Sequence, residues 1–297
     1  MANAFRWLPA FALSLLLAVP AAGDPPPRDF AAEPRPAAPA PEKPPAPAAP
    51  LAPKRPGDRG DFKVAYEKPK DPDYRELQQI FKDTALFEET VKALNETLAL
   101  PADVTVVLRE CGQVNAFYEA ESRRISLCYE LVGAFTEMFL ANAETEEEAE
   151  AAGESVAGAT LFIFFHEVGH ALVDLLDLPI TGKEEDAVDQ LATLILLEAG
   201  KDGENAALDG ASSFITEEAE KETGAEGELE DLAFWDEHSL DEQRFYNIVC
   251  WIYGKDPAGY AYLLEDDTLP EDRATSCPGE YERMSKAWDT LLEPYVK

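Results

Sequence analysis

Apolar residues recur at helical spacing through 73–100, at Leu77, Ile80, Phe81, Leu86, Phe87, Val91, Leu94 and Leu98, and Pro101 stops the run. That pattern predicts one long helix or two. Asp103–Arg109 (DVTVVLR) is β-branched and reads as a strand, broken at Gly112. Asn115–Tyr118 and Arg124–Tyr129 read as strands of a hairpin around the polar turn at Glu121-Ser122. Helical patterning returns over 130–142, 156–177, 184–199, 240–254 and most of 279–293. Residues 144–155 are acidic and read as an exposed loop or helix end, while 204–234 reads as two or three short helices. The order helix, small sheet, then helices predicts an α+β fold.

The ends of the chain narrow this picture. Residues 1–23 read as a secretory signal peptide: Arg6 supplies the positive charge, Phe11 to Val19 a short apolar run, and Ala21-Ala22-Gly23 a small-residue cleavage site. Residues 24–60 hold 13 of the 23 prolines and read as an extended Pro/Ala spacer. One compact domain is then expected over 61–297, exported to a periplasmic or extracellular compartment. No later segment is expected to span a bilayer. Lys and Arg total 25 against 59 Asp and Glu, a formal net charge of −34. That balance opposes a nucleic-acid groove and an anionic lipid surface.

The four cysteines, Cys111, Cys128, Cys250 and Cys277, are an even count in an exported chain and suggest two disulfides among three possible connectivities. Neighbours in sequence suggest Cys111–Cys128 and Cys250–Cys277. No C-x-x-C spacing points to a redox or zinc-thiolate motif.

The sharpest chemical signal is His166-Glu167-Val168-Gly169-His170. On a helix, positions i and i+4 share one face, so both imidazoles can bind one Zn²⁺. Glu167 is placed to reach a water on that metal. Two histidines and a glutamate buried in so apolar a run (TLFIFFHEVGHALVDLL) would be costly without partners. A third ligand is expected on the next helix. Thr181 and Glu184 stand at capping-box spacing, which leaves Glu185 to face inward as the ligand, with Glu184 its main rival. Asp189, four residues on, reads as the carboxylate that receives the other ring N–H of His166 or His170. A third histidine ligand is nearly excluded, since only His238 remains.

The H-E-x-x-H helix followed by Glu-x-x-x-Asp resembles the gluzincin, thermolysin-type metallopeptidases. That resemblance implies His166, His170 and Glu185 as zinc ligands, Glu167 as general base and Asp189 as orienting carboxylate. A closer resemblance rests on HEVGHALVDLLDLPITGKEEDAVDQ, CGQVNAFYEAESRRISLCYEL and HSLDEQRFYNIVCWIYG. These look like a bacterial family of exported proteins catalogued as a domain of unknown function, whose metallopeptidase label is inferred from the same motif. The implied architecture is zincin-like.

Other residues complete the candidate site. Asn115 and Ala116 begin a strand that could pair with extended substrate. His238 could hydrogen-bond the oxyanion of a tetrahedral intermediate, and Arg244 competes for that role. Asp174 reads as structural or as an outer partner of the site. The expected function is zinc-dependent hydrolysis of peptide bonds in a peptide or protein substrate. The alternatives are a zinc-stabilised binding or scaffold protein of the cell envelope, and a zinc hydrolase of an envelope polymer. The sequence leaves substrate and oligomeric state open.

Overall fold

Alternation along β2 (Val104–Arg109) sends Val104, Val106 and Leu108 into the core, and the sheet is built outward from this strand. A computed structural model describes residues 57–215 and 238–297. The signal peptide read at 1–23, nearly all of the spacer read at 24–60, and the acidic segment 216–237 lie outside the described residues. The sheet order is β1 (Phe62–Tyr66), β2, β4 (Arg124–Cys128), β3 (Ala116–Glu119). β1 and β4 run parallel to β2, and β3 closes the expected hairpin antiparallel to β4, with Phe117 opposite Ser126. Strand β1 was not expected; its five residues follow a Pro/Ala tract that masks so short an alternation. β1 and β3 are the edge strands.

The helical run before the sheet is two helices, α1 (Pro72–Thr84) and α2 (Leu86–Thr97), separated at Ala85 in the left-handed conformation with φ 52°. α3 (Tyr129–Leu140) follows β4 directly. α4 spans Glu146–Leu176, so of the two readings of 144–155, loop or helix end, the structure has the helix end: 146–155 form the first turns of this helix. Thr145 accepts from the Glu148 N–H, and the Glu148 side chain accepts from the Thr145 N–H, a capping box that starts the helix ahead of the apolar run. The helices that follow are α5 (Glu184–Glu198), α6 (Lys201–Ser212), α7 (Asp241–Lys255), α8 (Tyr262–Glu265), α9 (Glu271–Ala274) and α10 (Cys277–Leu292). The result is a mixed α+β domain with a small sheet and many helices.

α4 packs against α3, α5, α6, β3 and β4. At 31 residues it is long and apolar enough to cross a membrane by length and composition, against the expectation that no later segment would be. Yet 78% of its apolar stretch is buried inside the protein, as in the central helix of a folded core. Disulfides join Cys111 to Cys128 and Cys250 to Cys277, the sequence-neighbour pairing. The first ties the end of β2 to the end of β4; the second ties α7 to α10. Two such bonds indicate an oxidising, exported compartment.

Candidate metal centre

α4 buries His166 and Glu167, and α5 lies across it. The two helices approach closely at Gly169, where a Cβ would sit 2.7 Å from the Cβ of Val188. Only a residue without a side chain lets α5 come this near, and the approach brings the acidic start of α5 onto the imidazoles of α4.

Each imidazole is held by its Nδ1. His166 Nδ1 lies 2.7 Å from Asp189 Oδ1, and His170 Nδ1 lies 2.8 Å from Glu184 Oε1. Asp189 is itself fixed by the Arg244 guanidinium, which donates from Nε to Oδ2 and from a terminal nitrogen to Oδ1, both at 2.8 Å. Burial alone would raise the Asp189 carboxyl; Arg244 and His166 outweigh it and hold the group below the carboxylate range. An ionised carboxylate only accepts, so Nδ1 of His166 carries a proton and Nε2 is the nitrogen turned toward Glu185.

The Nε2 atoms converge on one oxygen. Glu185 Oε2 lies 3.1 Å from His166 Nε2, 3.3 Å from His170 Nε2 and 3.1 Å from His238 Nε2. The two Nε2 atoms of His166 and His170 are 3.3 Å apart. Despite these neighbours, Glu185 Oε2 is a buried atom to which no hydrogen bond of acceptable geometry is directed among the described residues. Imidazole nitrogens and a carboxylate oxygen crowded around one point are the donor types of a candidate cation site. The charge balance agrees. Burial opposes protonation of His170, but Glu185 and Glu184 prevail and raise it to about 9. His166 is likewise raised against its burial, by Asp189 and Glu185. The carboxylates thus favour positive charge at this point.

Glu167 is buried on α4 beside His166 and lies within electrostatic reach of His166, His170 and Glu185. Burial, assisted by Glu185, pushes its carboxyl above the usual range, while His166, His170 and the Tyr118 N–H pull the other way. The same tyrosine donates its hydroxyl to Asp174 Oδ2 at 2.8 Å, one turn beyond His170. Asp174 is therefore a tie between β3 and α4. Asn115 and Ala116 stand at the start of that strand, where the Asn115 carbonyl accepts from the Cys128 N–H.

Three residues sit differently from expectation. Glu184 is the first residue of α5 and caps nothing; Lys183 is the N-cap and makes no side-chain cap bond. The helix starts later than a cap at Thr181 requires, and this frees Glu184 to hold His170. Arg244 is buried against Asp189 and lies 3.9 Å above the Phe214 ring, so it is engaged inside the protein and not offered to substrate. His238, expected beside a reacting oxygen, has its Nε2 among the converging atoms. It forms a possible metal-holding group with His166 and Glu185, their donor atoms within 4.8 Å of one another.

No curated protein and no solved structure matches the chain. A family model described as "Putative metallopeptidase" matches residues 66–292, most of the chain, including every residue of this centre. The chain belongs to that family.

Proposed function

We propose that the protein is a zinc metallopeptidase of zincin-like architecture that hydrolyses peptide bonds, with His166, His170 and Glu185 holding the metal. The observation that carries the reading is the meeting of the imidazole Nε2 atoms with a buried, unsatisfied Glu185 oxygen, in a chain of the metallopeptidase family. Two imidazoles and a carboxylate are borderline-hard ligands suited to zinc. Zinc held there supplies Lewis acidity that polarises the scissile carbonyl and acidifies water.

The chain's own residues do the rest. Asp189 and Glu184 keep His166 and His170 in the tautomer whose Nε2 faces the centre. Arg244 keeps Asp189 ionised. Glu167, one residue after His166, projects about 100° around the helix from it, accepts from the Tyr118 N–H and is the carboxylate available for proton transfer. It takes the proton of the attacking water on its carboxylate and returns it to the leaving amine. The exposed edge of β3, tied to α4 through Tyr118 and Asp174, offers backbone groups to an extended peptide.

Glu167→Gln keeps the size and removes the base. It is expected to retain zinc and a near-native melting temperature and to lose ~10²–10⁴-fold in hydrolysis of a peptide library. A variant that cleaves as fast as wild type would remove Glu167 from the mechanism. If neither form cleaves anything while both hold zinc, the scaffold reading takes precedence.

A further inference from the structure

The centre contains one imidazole more than the proposed ligand set uses. We propose that His238 is a fourth protein ligand, which closes the metal site at rest and must swing away for a substrate carbonyl or water to reach it. The proposal rests on the zinc reading above.

The geometry treats His238 as an equal of the other two histidines. Its Nε2 is 3.1 Å from Glu185 Oε2, the distance found for His166. Its ring lies nearly parallel to that of His166, at 22° and 6.4 Å between centroids. The backbone is anchored for this purpose. Lys183 Nζ donates to the His238 carbonyl at 3.1 Å, and Ser239 Oγ donates to Asp186 Oδ1 at 2.6 Å. Both anchors flank Glu184 and Glu185, so the start of α5 that supplies the carboxylate also fixes where His238 stands.

Exposure separates His238 from the others. The side chains of His166, Glu185 and His170 are 5%, 14% and 17% exposed, whereas that of His238 is 43% exposed. Outer carboxylates hold the two imidazoles of α4, Asp189 on His166 and Glu184 on His170. His238 is the most exposed member of the group, so in this proposal a rotation of its side chain opens the site while Lys183 still holds its carbonyl. Four protein ligands make a closed tetrahedral site, and three leave the open position that catalysis uses. One residue thus converts one kind of site into the other.

Zinc K-edge absorption spectroscopy of the purified zinc-loaded protein counts the imidazoles directly, and a chelator competition measures affinity. Wild type is expected to show three imidazoles. His238→Ala is expected to show two with a water in place of the third, and to bind zinc at least ~10-fold more weakly, the lower end of what even an outer partner contributes. His238→Asn, melted without metal, checks that the fold is intact. His166→Ala is expected to lose zinc outright. If His238→Ala matches wild type in imidazole count and affinity while His166→Ala loses zinc, the fourth ligand is overturned and the zinc reading stands. If wild type itself retains no zinc, both fall.

Discussion

Arg244 touches nothing at the converging nitrogens, yet their orientation depends on it. It neutralises Asp189 in a site where both side chains are buried. Removing one member of a buried pair strands the other, at a cost of about 3–5 kcal/mol. Arg244→Met is therefore expected to lower stability by that order in denaturant unfolding. It is also expected to weaken zinc binding ~10–100-fold in a chelator competition, through the loosened His166. A variant as stable as wild type that binds zinc normally would mean that Asp189 needs no partner. At this scale the sequence was legible where a motif constrains it: His166, Glu167, His170, Glu185 and Asp189 were all named from spacing on two helices, and four of them meet within hydrogen-bond distances. Glu184 and Arg244 were misread because their roles depend on contacts. The Glu184 role turns on where α5 begins, within three residues, and the Arg244 role on a partner 55 positions away. His238 carried a signal in being the third of only three histidines, but its distance in sequence from the motif hid the convergence.

Between elements, the crossing of α4 over α5 makes the site. Gly169 is the closest point, and Val188 fills the space a side chain would need. Gly169→Ala gains helix propensity yet must push α5 away, and overpacking of this kind costs about 1–3 kcal/mol. The variant is expected to melt lower and also to bind zinc more weakly, because the same shift separates Glu185 from the imidazoles. Unchanged zinc affinity with a lowered melting point would uncouple the crossing from the site. The packing of α6 on α4 gives a pH test remote from the metal. Asp209 lies against Gly158 of α4, and burial, with help from Glu154 and against Ser155, raises its carboxyl from 3.8 to about 6. Its folded pKa exceeds its unfolded one, so the native state binds the extra proton between them. Stability from this group is full below about 3.8 and is lost as pH rises through about 6. Asp209→Asn is expected to stabilise the protein at pH 7.5, by at most about 3 kcal/mol, and to do little at pH 4. Equal effects at both pH values would remove the carboxyl's charge as the cause. Element types were readable because α2 and β2 carry consistent periodicities and α4 a long apolar run. The start of α4 was not: its first turns are acidic and polar, and a capping box at Thr145 decides the boundary more than apolar pattern does.

For the whole molecule, the two disulfides are the covalent ties on the fold, and the proposed metal would add a coordinate one. The loops they close span 17 and 27 residues, for which chain entropy gives about 3 and about 3.5 kcal/mol. Replacing Cys250 and Cys277 by Ser is thus expected to destabilise the protein slightly more than replacing Cys111 and Cys128, as read by denaturant midpoints. The reverse order would place strain or local packing above loop entropy. The α+β order of elements was legible as a whole because the helices and the hairpin follow one another along the chain. β1 was not, since a parallel strand leaves no hairpin signal and its partner β2 lies some forty residues on. The central claim is that α4 and α5 together hold one zinc ion per chain. Elemental analysis of the purified wild-type protein and of His166→Ala, after zinc exposure and removal of loose metal, tests it most directly. About one zinc per chain in wild type and essentially none in His166→Ala is the predicted result; full zinc in the variant, or none in wild type, would contradict it.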